Sequence, residues 1–234
     1  MKLKSFGCSF IFGTDLSDNK IQVTRPSQLT WPALMAQRLG YDYECFARGG
    51  SGNLQIAEHV LTHAQSNSCD LAVIGWTWTD RFDHTNPGLE TDPLMKQWYT
   101  WKTINPMDDR DIAKFYYKNL HSEYRDKLAS LVCIKMIIDT LQQRKIPFVM
   151  TYMDHLLFDQ QWNITQSLID LQDYVKPYMT DFDGLNFLDW CKSRNYEISP
   201  TLHPTDAAHQ AAADLMLKVF DKRNTSGPTQ QVLS

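Results

Sequence analysis

Two uninterrupted apolar runs constrain the fold of this 234-residue chain more than any other feature of its sequence. They cover Asp70–Gly75 and Pro147–Tyr152. A short run of this kind, without polar alternation, is typical of a central parallel strand buried on both faces. Helical periodicity occupies Trp31–Leu39, Leu54–Gln65 and about two dozen residues ending near Arg144. The alternation predicts an α/β protein, with a three-layer α/β/α domain around a central parallel sheet.

Shorter segments extend this pattern toward both ends of the chain. Leu3–Phe6 predicts a first strand, Tyr43–Ala47 a second, and Leu185–Leu188 a last short strand. Thr30 is the expected N-cap of the first helix, and Gly40 follows the end of that helix. The predicted sheet therefore takes strands from nearly the whole length of the chain.

Residues 82–120 interrupt the alternation with turn-rich sequence around Trp98 and Trp101. We interpret this segment as an insertion over the C-terminal edge of the sheet. The chain then consists of one domain over residues 1–223, which contains the insertion, and a flexible tail over 224–234.

Composition limits the classes of function. Hydrophobic residues make up 43% of the chain and aromatic residues 12%, so a sizeable core can form. A net charge of −4 argues against non-specific nucleic-acid binding, which requires a basic surface. The five cysteines form no CxxC pair, which argues against a disulfide framework or a zinc ribbon. The first residues lack a signal-peptide pattern, and no stretch approaches the ~18 apolar residues of a membrane span, so we expect a cytoplasmic protein without membrane partners.

Polar segments follow three of the predicted strands. Ser9 follows the first strand in the sequence GCSF, Gly50 follows the second in a glycine-rich loop, and residues 76–80 follow the third. The carboxyl ends of parallel strands meet at one edge of a doubly wound sheet, where ligands bind. His203, before the last helical pattern, can return to that edge. A serine, a glycine loop and a late histidine suggest acyl transfer through an activated serine.

These segments resemble the sequence blocks of the SGNH (GDSL-type) hydrolase family, and only the insertion lies outside the likeness. Gly7–Phe10 is similar to the first block, Gly50 to the second, Gly75–Asp80 to the third, and His203-Pro204 to the last. The glycine loop and the start of the first helix look like those of a phage-associated or bacterial branch. A phage origin would place the protein in a host-cell cytoplasm or a virion.

The resemblance implies a flavodoxin-like SGNH hydrolase fold and a serine-dependent ester hydrolase that needs no cofactor. Ser9 would be the nucleophile and His203 the general base. The backbone N–H groups of Ser9 and Gly50 would stabilise the tetrahedral oxyanion. The implied substrate is a small acyl or acetyl ester, either of a small molecule or of a carbohydrate.

Two positions depart from the family pattern in ways that affect the chemistry. The third block lacks its usual Asn, so Thr77, Thr79 or Asn53 would have to supply that oxyanion-hole donor. Pro200 occupies the place of the acid, three residues before the histidine. Three carboxylates are candidate substitutes for that acid: Asp206, Asp154 and Glu197.

Because of these departures, two alternatives stay open: a catalytically idle SGNH scaffold that serves as a binding or structural module, and an O-acyltransferase that uses the same site. Other motifs fit less well. Gln55 stands where a dinucleotide-binding loop requires its third glycine. His59 and His63 share a helix face but lack the glutamate of an HExxH zinc site, so we expect them, and also His209, to be structural.

Overall fold

The computed structural model describes residues 1–19, 25–85 and 101–225, and it describes side chains as far as residue 221. The strands are β1 (Lys2–Phe6), β2 (Asp42–Cys45), β3 (Leu71–Trp76), β4 (Phe82–Thr85), β5 (Trp101–Ile104) and β6 (Phe148–Tyr152). The α-helices are α1 (Ser9–Phe12), α2 (Trp31–Leu39), α3 (Asn53–His63), α4 (Asp111–Asn119), α5 (Glu123–Gln143), α6 (Gln166–Val175), α7 (Phe187–Ser193) and α8 (Asp206–Thr225). Short 3-10 turns cover His155–Leu157 and Lys176–Tyr178.

Four strands form a parallel sheet in the order β2-β1-β3-β6. In its register, Leu3 lies opposite Tyr43 on one side and Leu71 on the other. Val73 of β3 in turn lies opposite Val149 of β6. From β1 the chain passes first to β2, on one side of β1, and then to β3, on its other side. The connections after β1 and after β3 therefore diverge, which leaves a crevice beyond the carboxyl ends of these two strands, where ligands bind in sheets of this kind.

Strand β3 is buried along its whole length, because helices cover both faces of the sheet. Leu71 and Val73 face a core that also contains residues of α2, α7 and α8. Ala72 and Ile74 face the opposite core, which contains residues of α3, α5 and α6. Both faces of β3 are apolar for this reason, and the predicted three-layer α/β/α architecture is confirmed.

The prediction of a last strand over Leu185–Leu188 is wrong. Leu185 makes only an isolated antiparallel bridge with Phe182. The Asn186 side chain accepts the backbone N–H of Asp189 at 2.9 Å, so Asn186 is the N-cap of α7. This capping bond starts a helix where apolar content alone suggests a strand.

The segment interpreted above as an insertion begins with the antiparallel pair β4 and β5, in which Phe82 lies opposite Ile104. Ile104 packs with Ala113 and Tyr116 of α4 in a small core separate from the two main ones. Trp98 and residues 226–234 lie outside the described residues, so the predicted tail is not described beyond the end of α8. Across the described ranges, no helix is long and apolar enough to cross a membrane.

Candidate active site

Ser9 lies where β1 passes into α1, at the C-terminal edge of the sheet. Two glycines allow the close packing of this turn. A Cβ atom on Gly7 would lie 2.5 Å from Cγ1 of Ile11, and a Cβ atom on Gly75 would lie 2.7 Å from the same atom. Since neither residue has a Cβ, α1 packs directly over the ends of β1 and β3. The turn leaves Ser9 8% exposed at the crevice.

His203 lies on the loop before α8, beside the helix that contains Ser9. Its ring packs against that of Phe10, with the two centroids 5.1 Å apart. Ser199 fixes the loop, because its N–H donates to the carbonyl of His203 at 2.8 Å and its Oγ accepts the N–H of His203 at 3.1 Å. Within the described ranges, no hydrogen bond joins Ser9 Oγ to the His203 ring.

The carboxylate that contacts His203 belongs to Asp15, on the loop after α1. Oδ2 of Asp15 lies 3.1 Å from Nδ1 of His203. The same oxygen accepts hydrogen bonds from Ser199 Oγ, at 2.7 Å, and from Thr201 Oγ1. A carboxylate oxygen only accepts, so the proton of this contact lies on Nδ1. The lone pair of the neutral ring is then on Nε2.

The electrostatics of the pair match the needs of general-base chemistry. Burial raises the pKa of the Asp15 carboxyl, but the hydrogen bonds from Thr201, Ser199 and His203 outweigh it, so this pKa lies below 3.8. Burial lowers the pKa of His203 below its ordinary value of 6.5, although the bond to Asp15 opposes the shift. At neutral pH, Asp15 is therefore ionised and His203 is a neutral imidazole able to accept a proton.

The three carboxylates named from the sequence as acid candidates have other surroundings. Asp206 accepts the N–H of Ser17 at 3.1 Å and thereby holds the loop that contains Asp15. Asp154 accepts the N–H and the hydroxyl of Thr79, at 2.9 and 2.7 Å. The backbone carbonyl of Glu197 accepts the N–H of Thr205 at 3.2 Å. In the part of the chain that the structure describes, none of the three is hydrogen-bonded to His203.

Two backbone donors are uncommitted at the crevice. The N–H groups of Ser9 and Gly50 have no hydrogen-bond partner among the described residues. The Gly50 loop is joined to the turn before Ser9, because the N–H of Arg48 donates to the carbonyl of Gly7 at 3.0 Å. Gly50 itself has a left-handed backbone, with φ of 82°, which glycine adopts without strain.

The side chain of Asn53 is bound to the backbone of Thr77. Oδ1 of Asn53 accepts the N–H of Thr77 at 2.9 Å. Nδ2 donates to the carbonyl of Thr77 at 3.3 Å and to Ser130 Oγ at 3.0 Å, so both amide hydrogens have acceptors. The Thr77 hydroxyl is buried and has no partner among the described residues. Of these two residues, Thr77 has the uncommitted donor, and Asn53 holds the end of β3 against the start of α3.

Histidines outside the crevice have structural partners. Nδ1 of His59 lies 2.9 Å from the carbonyl of Phe46, and the ring of His63 stacks on that of Phe46 with centroids 4.0 Å apart. Nδ1 of His209 accepts the N–H of Trp31 at 3.0 Å. The described ranges contain no group of His, Cys, Asp or Glu side chains that could hold a metal ion.

Sequence comparison finds no relative: no family model matches the chain, and no curated protein matches it. Solved structures share its fold. An acetyl xylan esterase of the rumen bacterium Butyrivibrio proteoclasticus aligns with a TM-score of 0.51 and 12% identity, over 96% of this chain and 64% of its own. An esterase of Pseudoalteromonas sp. aligns with a TM-score of 0.50 and 9% identity, over 96% of this chain and 98% of its own.

A third structure with this fold is a two-domain esterase active on acetylated mannans. It aligns with a TM-score of 0.50 and 12% identity, over 96% of this chain and 50% of its own. This chain therefore spans about half to two thirds of the length of the two longer enzymes. At these identities the likeness shows the fold alone, and it confirms the fold that the resemblance to SGNH hydrolases predicts.

Proposed function

We propose that this protein is a serine-dependent ester hydrolase with Ser9 as nucleophile, His203 as general base and Asp15 as the acid that orients the base. The observation that supports this best is the bond between Asp15 Oδ2 and His203 Nδ1, 3.1 Å long. A carboxylate on Nδ1 sets the tautomer in which Nε2 accepts a proton, which is the arrangement of a catalytic triad.

The cycle has two halves. In the first, Ser9 Oγ attacks the ester carbonyl while its proton passes to Nε2 of His203. The N–H groups of Ser9 and Gly50 hold the resulting oxyanion, and His203 then gives the proton to the departing alcohol. In the second, water attacks the acyl-enzyme with the help of His203, and the acid and Ser9 are released. The Ser9–His203 hydrogen bond forms in the substrate complex, since such bonds are often long without substrate.

We further propose an acetyl or other small acyl ester, attached to a carbohydrate, as the substrate. Two of the esterases with this fold act on acetylated polysaccharides, an acetylated xylan and acetylated mannans. The ring of Phe10, 5% exposed, contacts the rings of His203 and Trp78 with centroid distances of 5.1 and 5.6 Å, so an acyl group bound beside His203 would have aromatic rings nearby. All steps use groups of this chain and require no cofactor.

A catalytically idle scaffold is the second candidate. It is favoured by the third sequence block, which lacks the Asn of the family pattern, and by the lack of a hydrogen bond between Ser9 and His203 among the described residues. The two candidates differ in one measurable property, turnover that depends on Ser9. If an alcohol is added and the products are analysed, transfer of the acyl group to that alcohol instead of to water would identify the protein as an acyltransferase.

The test is the initial rate on p-nitrophenyl acyl esters and on an acetylated xylo-oligosaccharide, for the wild type and two variants. Ser9→Ala removes the nucleophile, so kcat/KM should fall by roughly 10³-fold or more. Ser66→Ala, an exposed serine whose hydroxyl donates to the carbonyl of Arg144 at 3.0 Å, should have the rate of the wild type. Turnover that survives in Ser9→Ala, or a wild type that hydrolyses no ester, would contradict the proposal.

A further inference from the structure

The insertion contributes a buried carboxylate to the loop that contains Gly50. This is Asp83 on β4, which is 8% exposed. Its Oδ1 accepts the N–H of Gly52 at 2.9 Å, and its Oδ2 accepts the N–H of Gln55 at 2.9 Å. Thr103, on the paired strand β5, donates its hydroxyl to Oδ1 at 2.6 Å. Both oxygens are therefore bound, and two of the bonds hold the backbone at the start of α3.

Asp83 replaces the capping side chain that α3 lacks. Gly52 is the N-cap of this helix and has no side chain to accept the first free N–H groups. A Cβ atom at Gly52 would lie 2.5 Å from Oδ2 of Asp83 and 2.6 Å from Oδ1, so only glycine leaves room for the carboxylate. Gly52 and Asp83 are thus complementary, although 31 positions separate them.

A second residue, directly before β4, holds the loop on its other side. Arg81 donates from Nη1 to the carbonyl of Ser51 at 3.0 Å. Its guanidinium also lies over the ring of Trp78, 5.0 Å from the centroid. The loop is therefore attached to the β3–β4 segment at Ser51 and at Gly52, directly after Gly50. The Gly50 N–H is one of the two donors assigned above to the oxyanion.

We propose that Asp83 is a positioning residue for the oxyanion hole: by binding the N–H groups of Gly52 and Gln55, it fixes the Gly50 N–H relative to Ser9. This inference rests on the proposed ester hydrolysis. It gives the insertion a function in the chemical step, since β4 and β5 together supply the carboxylate and the hydroxyl that orients it. Among the described residues, Asp83 is hydrogen-bonded neither to Ser9 nor to the His203–Asp15 pair.

The first variant is Asp83→Asn, which has nearly the same shape as the wild type. Its amide nitrogen cannot accept a hydrogen bond, so one of the two N–H groups loses its acceptor and the loop shifts. Misplacement of a catalytic group by about 1 Å can cost about 10²-fold. We expect kcat for ester hydrolysis to fall at least about tenfold, with KM changed less than about threefold. The reason is that the weakened interaction, the hydrogen bond from the Gly50 N–H to the oxyanion, exists only in the transition state.

The matched control is Asp126→Asn. Asp126 is a second buried carboxylate in the same small cavity, 5% exposed, but its partners are Arg125 at 2.9 Å and His121 at 3.1 Å rather than the Gly50 loop. This variant should lose stability with kcat near that of the wild type. In Asp83→Asn, the midpoint of the acid limb of the pH profile should match the wild type, because His203 and Asp15 are untouched.

The outcomes separate the two proposals. A wild type without Ser9-dependent turnover overturns the proposed function, and the role of Asp83 with it. An active wild type with equal kcat for Asp83→Asn and Asp126→Asn, or a loss confined to KM, overturns the role of Asp83 alone. If Asp83→Asn does not fold, Gly52→Ala replaces it, because the added Cβ displaces the same contact from the other side and should lower kcat in the same way.

Discussion

Asp15 reaches His203 through a left-handed turn, with φ of 69° at Asp15 itself. Aspartate tolerates this conformation better than most residues that have a side chain. The turn directs the carboxylate to the hydroxyls of Ser199 and Thr201 as well as to His203. Pro200, three residues before His203, has no side-chain group that could take this role. The hydroxyls on either side of Pro200 instead bind a carboxylate from another loop.

The first prediction at the residue scale concerns the pH profile of ester hydrolysis. Burial lowers the pKa of His203, and Asp15 raises it in part. The acid limb of kcat/KM should therefore have its midpoint below 6.5, and activity should rise as the pH increases through that midpoint. In Asp15→Asn the stabilising charge is gone, so the midpoint should move to lower pH while the plateau falls.

Rates measured between about pH 4 and about pH 8 on one ester test this prediction, since the range reaches about 2.5 units below and about 1.5 units above the ordinary histidine pKa. Glu197→Gln is the control, since Glu197 is not hydrogen-bonded to His203 in the described residues. A midpoint in Asp15→Asn that is equal to or higher than the wild-type value would show that Asp15 does not act on the catalytic base.

At the scale of elements, the first turns of α8 hold two other parts of the molecule. Asp206 accepts the N–H of Ser17 at 3.1 Å, which fixes the loop after Asp15. One turn later, His209 accepts the N–H of Trp31 at 3.0 Å, at the start of α2. The helix α2 also has its own N-cap, because Thr30 Oγ1 accepts the N–H of Ala33 at 3.4 Å. These contacts join both ends of the chain beside the crevice.

His209 predicts a specific dependence of stability on pH. Burial lowers its pKa to about 3, despite the nearby charge of Asp206, so the folded protein keeps this ring neutral. The unfolded chain takes up a proton near pH 6.5, so His209 destabilises the fold progressively as the pH falls below that value. Between pH 7.5 and pH 5 the lost stability amounts to about 2 kcal/mol.

The test is the free energy of unfolding by urea at several pH values, for the wild type and His209→Asn. Asparagine offers an oxygen near the position of Nδ1 and does not titrate. The variant should be less stable at pH 7.5, and its stability should decline less steeply toward pH 5 than that of the wild type. Parallel curves for the two proteins would show that His209 is not held neutral in the fold.

At the scale of the whole molecule, periodicity in the sequence predicts the layers of the fold well. The segments that form β3 and β6 are apolar because helices cover both of their faces, so burial can be recognised directly from the sequence pattern. Helix capping is harder to recognise from the sequence. At Leu185–Leu188 the N-cap bond of Asn186 decides in favour of a helix, and apolar content alone does not reveal it.

Part of the candidate site can be predicted from the sequence, and part of it cannot. Ser9, Gly50 and His203 each follow a strand or precede a helix, so the topology of a doubly wound sheet directs them to one edge. Asp15 has no such signal, because it lies on an irregular loop, and 188 positions separate it from His203. The contact between Asp15 and His203 can be recognised only once the fold brings their two loops together. The role of Asp83 could not be predicted from the sequence for the same reason, since its hydrogen bonds join β4 to the start of α3, which is distant in sequence.

The most direct test of the central claim is the rate of labelling by a fluorophosphonate probe, with the modified residue located by peptide mass spectrometry. The account predicts a single adduct on Ser9 of the wild type, no adduct in Ser9→Ala or His203→Ala, and labelling of Asp15→Asn that is slower by roughly 10²-fold or more. Glu197→Gln should react at the wild-type rate. A folded wild type that takes up no probe, or an adduct on another residue, would contradict the assignment of Ser9, His203 and Asp15 as a catalytic triad.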